Sequence, residues 1–275
     1  MVTRPKISMI TAVLNGKDHI EETIKSVISQ SYPNIEYIII DGGSTDGTLD
    51  IINQYAAYLD KWVSEPDEGI SDAFNKGIKM TSGEIIGIIS ADDYLLPGTL
   101  ERVTSIYEND RELDVIYGDA VFIEPFNQLR FIVKPDTNLN DLWKRQALKH
   151  VATFIAKKTY NNFGLFDLQY KYAMDHELIL RFYLRGAEFY YVNEPLAAFR
   201  TGGLAISNPY KASRETRDIT LRYGYSPLKA YPNYWYKVIR QILRKAFYRS
   251  GFAAILNIYR KKSHRFSIYE SNSKD

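Results

Sequence analysis

Three groups of acidic residues in this chain share one setting: each comes at the end of an apolar run that reads as a strand. Asp41 follows Ile35–Ile40, Glu65 and Asp67 follow Trp62–Val63, and the pair Asp92-Asp93 follows Ile85–Ile89. Two adjacent like charges at the end of a buried strand are tolerated only beside a cation or solvent. Paired carboxylates of this kind suit a hard divalent ion, Mn²⁺ or Mg²⁺, which takes oxygen ligands and keeps positions open for phosphate. The chain has no cysteine and four histidines, His19, His150, His176 and His264, which argues against a zinc site and excludes disulfides and thiol nucleophiles. It has no Gly-Lys-Ser/Thr phosphate loop and no Gly-x-Gly-x-x-Gly turn after its first apolar run. The chemistry on offer is a diphosphate bridged by a metal rather than cradled by glycines.

The elements that must position these acids alternate along the first hundred residues. Ile7–Leu14, Ile35–Ile40, Trp62–Val63 and Ile85–Ile89 read as strands. Between them His19–Gln30, Asp46–Tyr58 and Ile70–Met80 carry apolar residues at helical spacing, with Asp46 suited to cap its helix. Continuous apolar strands separated by helices imply a parallel sheet covered on both faces. Beyond Pro97 a helix runs to about Asn109. Val115–Ile123 and Leu129–Val133 then follow closely enough to be an antiparallel addition, Val151–Ala156 is a further strand, and Glu177–Leu184 is helical. The fold class expected is α/β, a mixed, mostly parallel sheet flanked by helices. In such sheets ligands sit beyond the carboxyl ends of the strands, so acids ending three strands converge on one edge.

The strings ITAVLN, IEYIIIDGGSTDG, EPDEGISDAFNKGI and GIISADDYLLPGTL, continued by HVATF, GLFD and YAMDHELILRF, resemble family 2 glycosyltransferases in order and spacing over roughly residues 6–205. The resemblance implies the GT-A fold, inversion at the anomeric carbon and a nucleotide-diphosphate sugar as donor. It implies a base pocket from Thr11, Val13 and Asp41, lined also by Asp67. Asn75 matches a donor-site position, Asp92 would stand near the ribose, and Asp93 would bind the metal. Asp175 falls where the family places its catalytic base, and Arg200 is a candidate for the diphosphate. The acceptor implied is a hydroxyl of a glycan or lipid-linked glycan, as in cell-surface polysaccharide biosynthesis.

An inverting transfer needs this inventory and little more. The acceptor hydroxyl loses its proton to one carboxylate, a contribution of typically ~10²–10⁴ in rate. The leaving diphosphate gains charge that a metal and cations stabilise. Three positions depart from the family pattern. Ser90 stands where many relatives have Asp, Phe74 replaces an Arg before Asn75, and TGGLAIS after Arg200 lacks a His. His176 follows Asp175 on a helix, where neighbours point about 100° apart, so the two do not face one acceptor. His150 either contacts substrate or packs at a strand end, the second being the commoner use.

Charge divides the chain. Residues from Lys211 onward carry fifteen Lys and Arg against four Asp and Glu, a net of +11, which leaves −9 for residues 1–210. The expected organisation is a catalytic domain over 1–210 and a basic helical region over 211–275. In that region Trp235, Val238, Ile239, Ile242 and Leu243 share an apolar face, opposite Lys237, Arg240, Arg244 and Lys245. Such a helix suits an anionic membrane surface, and packing on the domain is the alternative; nucleic acid is not the expected partner. No uncharged run exceeds ten residues, and the apolar start from Ile7 ends at Asn15-Gly16 rather than at a cleavage site. The expected location is cytoplasmic, peripheral to the membrane. Gln241–Lys245 approaches the Gln-x-x-Arg-Trp signature of processive synthases but lacks its Trp.

Two rival readings stand beside this one. A sugar-phosphate nucleotidyltransferase would need a Gly-rich basic loop after the first strand, for which Asn15-Gly16-Lys17 is a poor substitute. A catalytically silent relative, binding glycans or serving as a scaffold, would bind nucleotide without turnover.

Overall fold

The computed structural model describes residues 4–124, 128–200, 208–249 and 266–269. Strands β1 (Ile7–Val13), β2 (Ile35–Asp41), β3 (Lys61–Ser64) and β4 (Ile85–Ser90) lie parallel in the order β3-β2-β1-β4. They are joined through α1 (Ile20–Ile28), α2 (Thr48–Gln54) and α3 (Ile70–Met80). After β5 (Tyr94–Leu95) and α4 (Thr99–Asn109), the sheet is extended by β6 (Val115–Ile123), β7 (Arg130–Val133) and β8 (Thr153–Ala156). β6 and β7 pair antiparallel, as expected of that addition, and β8 runs antiparallel between β4 and β6. The chain continues through α5 (Lys157–Phe163), α6 (Met174–Leu184), β9 (Phe189–Arg200), α7 (Pro209–Arg222), α8 (Pro227–Arg249) and β10 (Phe266–Ile268).

The period of two along a strand sorts each apolar run onto two faces. Ile7, Met9 and Val13 of β1, with Tyr37, Ile39, Ile85 and Ile89, meet Ile20, Ile24 and Val27 of α1 and Leu100 and Val103 of α4. Ile10 and Ala12, with Ile38, Ile40, Ile86 and Ile88, meet Phe74 and Ile78 of α3, Leu178 and Phe182 of α6 and Ile219 of α7. α3 comes so close to β1 that a Cβ on Gly77 would stand 2.5 Å from Cγ2 of Ile10, so only glycine fits there.

β6 holds the mixed part together. Its first residues pair with β8, its last with β7, and its whole length runs parallel to β9. β9 carries Pro195, which interrupts any strand pattern in the sequence; it is accommodated where the β6–β9 register shifts at Asp119. β10 adds an edge strand beside β7. The strand expected at Val151–Ala156 begins two residues later, because His150–Ala152 form a 3₁₀ turn held by the Thr153 hydroxyl on the Lys149 carbonyl at 2.7 Å. α6 begins at Met174 rather than Glu177, so Asp175 lies inside its first turn. The residue-210 boundary falls inside α7, a helix that buries Ile219 completely in the second core. α8 packs on α7, and the amide of Gln241 docks it there, reaching the Pro209 carbonyl and the Ser213 hydroxyl.

Candidate active site

The turn after β4 is built from three sides. The Thr23 hydroxyl, buried in α1, donates to the carbonyls of Ala91 at 2.8 Å and Asp93 at 2.6 Å. From the end of β9, the Arg200 N–H donates to Oδ1 of Asp93 at 3.2 Å, and its guanidinium donates to the Asp92 carbonyl at 2.7 Å. Glu22 pairs with that guanidinium at 2.6 Å, and the Tyr94 ring lies beneath it. Asp93 is thereby held 5% exposed beside Asp92. Burial first, and the Asp92 charge second, push its carboxyl up to about 7, against the pull of His150 and Arg200. A carboxyl kept from ionising in this way, beside a second carboxylate at the mouth of a cleft, fits a divalent cation bound through oxygen. Among the described residues no group of three or more His, Asp or Glu is placed to hold one alone, so further ligands would come from phosphate and water.

Opposite this turn stands Asp175. The segment leading into its helix is held from another element: Glu215 of α7 accepts from the N–H groups of Lys171, Tyr172 and Ala173. His150, raised by its 3₁₀ turn, stands between the two acidic sites. Its Nδ1 lies 3.4 Å from Oδ2 of Asp175, and its Nε2 lies 3.2 Å from the Ser90 hydroxyl and 3.9 Å from Oδ2 of Asp93. Enclosure opposes a charge on this ring, but Asp175 and then Asp93 outweigh it, and the imidazole is pushed up to about 9. Phe74 packs beside the ring, its own ring against Phe166. His176 points elsewhere: it is 2% exposed, contacts the Leu142 carbonyl through Nε2, and is held down to about 4 by burial.

Asp92, Asp93, His150, Asp175 and Arg200 line one cleft of about 320 Å³, together with Lys149, Lys171, Tyr172 and Phe199. The expected base-pocket residues lie along the neighbouring strand ends. Val13 is in register with Asp41, and Asp67 lies over Gly42, where a Cβ would stand 2.4 Å from its Oδ2. Asp41 is wholly buried, its carboxylate accepting from the N–H groups of Gly43 and Ser44 and the hydroxyls of Ser44 and Ser64. Asp41 is thus turned inward rather than toward the donor; Val13 packs in the core at 5% exposure, and Thr11 and Asn75 are turned inward as well. Thr11 is fully buried with its hydroxyl 2.9 Å from that of Tyr37, because its strand position puts it on the α1 face. Asn75 spends both ends of its amide on the Phe166 backbone, tying α3 to the segment before α6. The N–H groups of Asn15, Gly16 and Lys17 are all taken, by Ser44, Thr48 and Asp46, so this loop offers no phosphate cradle of the kind a nucleotidyltransferase needs.

Residues 8–159 match the family model for glycosyl transferase family 2. The chain belongs to this family. The transferase is 30% identical over 213 residues to an uncharacterised glycosyltransferase of Rickettsia typhi, an alignment covering 74% of this chain and 66% of that one. It is 26% identical over 245 residues to a PGL/p-HBAD biosynthesis glycosyltransferase of Mycobacterium bovis, covering 87% and 94%. Its fold is that of two solved structures. One is S. aureus TarS 1-349 in complex with UDP-GlcNAc, with TM-score 0.62, 18% identity and 82% and 69% of the two chains covered. The other is a mannosyltransferase from Pyrobaculum calidifontis in complex with GDP-Man and Mn²⁺, with TM-score 0.64, 17% identity and 93% and 81% covered.

Sequence reasoning missed several parts of the transferase's cleft. Thr23 and Glu22 sit on a helix whose apolar spacing says nothing of the turn they brace. Glu215 is one acid in a basic region. His150 was visible in HVATF, but only the fold reveals that Ser90, the departure from the family's acid, is the group facing it. Phe74, the second departure, is likewise part of the ring's packing. The third departure, TGGLAIS, lies outside the described residues.

Proposed function

We propose that this glycosyltransferase moves a single sugar, with inversion, from a nucleotide-diphosphate sugar to a hydroxyl of a glycan or lipid-linked glycan during polysaccharide or glycolipid synthesis. The observation that carries this reading is that Asp93 and Asp175 line one cleft, with His150 between them. Asp93 would hold Mn²⁺ or Mg²⁺, with Asp92 beside it near the ribose; the metal when bound supplies positive charge against the diphosphate as it leaves. The chain's own residues do the rest. The cleft holds the donor with its anomeric carbon toward Asp175, and Asp175 takes the proton of the acceptor hydroxyl as that oxygen attacks. Arg200 braces the Asp92-Asp93 turn and adds a cation beside the leaving group. One base and one acid pair suffice for a single displacement, and no covalent intermediate is required.

A second part of the reading concerns α8. Its apolar residues divide: Ala230 and Val238 are buried, while Trp235, Ile239, Ile242 and Leu243 are each more than half exposed. The outward stripe is flanked by Lys and Arg, with no acid anywhere in Pro227–Arg249. An amphipathic helix of this composition supports attachment to an anionic lipid surface, where a lipid-linked acceptor would be met. No helix among the described residues is long and apolar enough to cross a membrane.

The deciding test of the donor site is thermal unfolding with UDP-, GDP- and dTDP-sugars, each with and without Mn²⁺. A donor at about 100 Kd adds about 2.7 kcal/mol of stability. A metal-dependent rise for one donor, followed by release of its nucleoside diphosphate, is the expected result. Binding without release would return the silent relative to the front.

A further inference from the structure

The carboxylate of Asp175 is held almost without help. Its Oδ1 is buried and has no hydrogen-bond partner among the described residues. The side chain as a whole remains 25% exposed, so the oxygen that meets the cleft is Oδ2. The polar side chain within reach of that oxygen among the described residues is His150, through Nδ1 at 3.4 Å. The imidazole is itself fixed from the other side, by the Ser90 hydroxyl at Nε2, and packed by Phe74. Ser90 and Phe74 are two of the three departures from the family pattern, and both serve the same ring.

We propose that His150 is the positioning residue for the general base, its Nδ1 orienting Asp175 so that Oδ2 faces the acceptor hydroxyl while Ser90 anchors Nε2. The inference rests on the reading of Asp175 as the base. His150 takes no part in bond making; it sets the direction in which the carboxylate presents its lone pairs. Misplacing a reacting group by about 1 Å costs on the order of 10²-fold in rate, which sets the scale of the effect.

The two side-chain amides separate the two ends of the ring. In His150→Asn the amide nitrogen stands where Nδ1 was and can still reach Asp175. In His150→Gln it stands where Nε2 was and can reach only Ser90 and Asp93. The full chain is assayed for hydrolytic release of UDP from UDP-N-acetylglucosamine and of GDP from GDP-mannose, with Mn²⁺ present and water as the acceptor of the sugar. In parallel, affinity for UDP and GDP with Mn²⁺ is measured by calorimetry. The expected result is a kcat for His150→Asn within about threefold of wild type and a loss of about 10- to 100-fold for His150→Gln, with nucleotide affinity unchanged in both. Equal kcat in the two variants, or losses that appear as weakened nucleotide binding, overturns the positioning role while leaving the donor site intact. A wild-type chain that neither binds nor releases nucleotide overturns the donor-site reading and this inference with it.

Discussion

The backbone N–H of Arg200 donates to Oδ1 of Asp93 across 107 residues of sequence, joining the last residue of β9 to the turn after β4. The bond puts the acid pair in the care of two elements at once. β5 and β9, paired through Tyr94–Ala198 and Leu95–Ala197, close that junction immediately beside the site.

Replacing Asp93 by Ala is expected to abolish the metal-dependent part of nucleotide-diphosphate binding. Calorimetry with UDP or GDP, with and without Mn²⁺, reads this directly. Retained metal-dependent affinity would remove Asp93 from the role.

Asp175→Asn should leave donor affinity within about twofold of wild type while turnover falls by ~10²–10⁴, because the change removes a base without removing a ligand. Single-turnover product release separates the two quantities. Wild-type turnover in this variant would sink the assignment.

Glu36 ties three elements by charge. Burial of its carboxylate opposes ionisation, but the hydroxyls of Ser8 at 2.5 Å and Ser82 at 2.8 Å, the Ser82 N–H at 2.6 Å, and Lys6 at 3.6 Å bring it from 4.5 down to about 2. Its folded value lies below its unfolded one, so the stabilisation is complete above about pH 4.5 and is lost as pH falls toward 2. By linkage it amounts to about 3 kcal/mol at neutral pH. Chemical denaturation of Glu36→Gln against wild type should show a gap at pH 7 that narrows steadily below pH 4.5. A gap independent of pH would assign the effect to packing.

For α8, point changes are more informative than truncation, since removing residues 232–275 would also take away β10. Trp235→Glu with Ile242→Glu alters two exposed residues seven apart on one face and leaves Val238 in place. Sedimentation with phosphatidylglycerol vesicles should fall at least about tenfold for this variant, with weak binding to phosphatidylcholine throughout. Unchanged sedimentation would place the lipid contact on another surface.

The strand–helix alternation and the acids at strand ends were legible because period and punctuation are local properties. The N-terminal strands appear within a residue or two of where the apolar runs put them. β9 was not legible: Pro195 masks it, and only a shifted register on β6 lets it form. Nor could spacing separate a residue facing the cleft from one facing the core. Thr11 and Asn75 carry hydroxyl and amide groups that suit a ligand, yet Tyr37 and the Phe166 backbone use them up. The same local silence hid not His150 itself but its surroundings, which come from three separate stretches of chain.

The hold that Glu215 has on the segment entering α6 has a practical corollary for exchanging C-terminal segments between relatives. A swap made at residue 210 would carry away the carboxylate that holds the segment just before α6, two residues from Asp175, and Ile219 with it. A chimera meant only to change surface attachment has to be joined beyond α7, in the short link between Arg222 and Pro227, so that Glu215 and the segment it holds before Asp175 stay from the same parent.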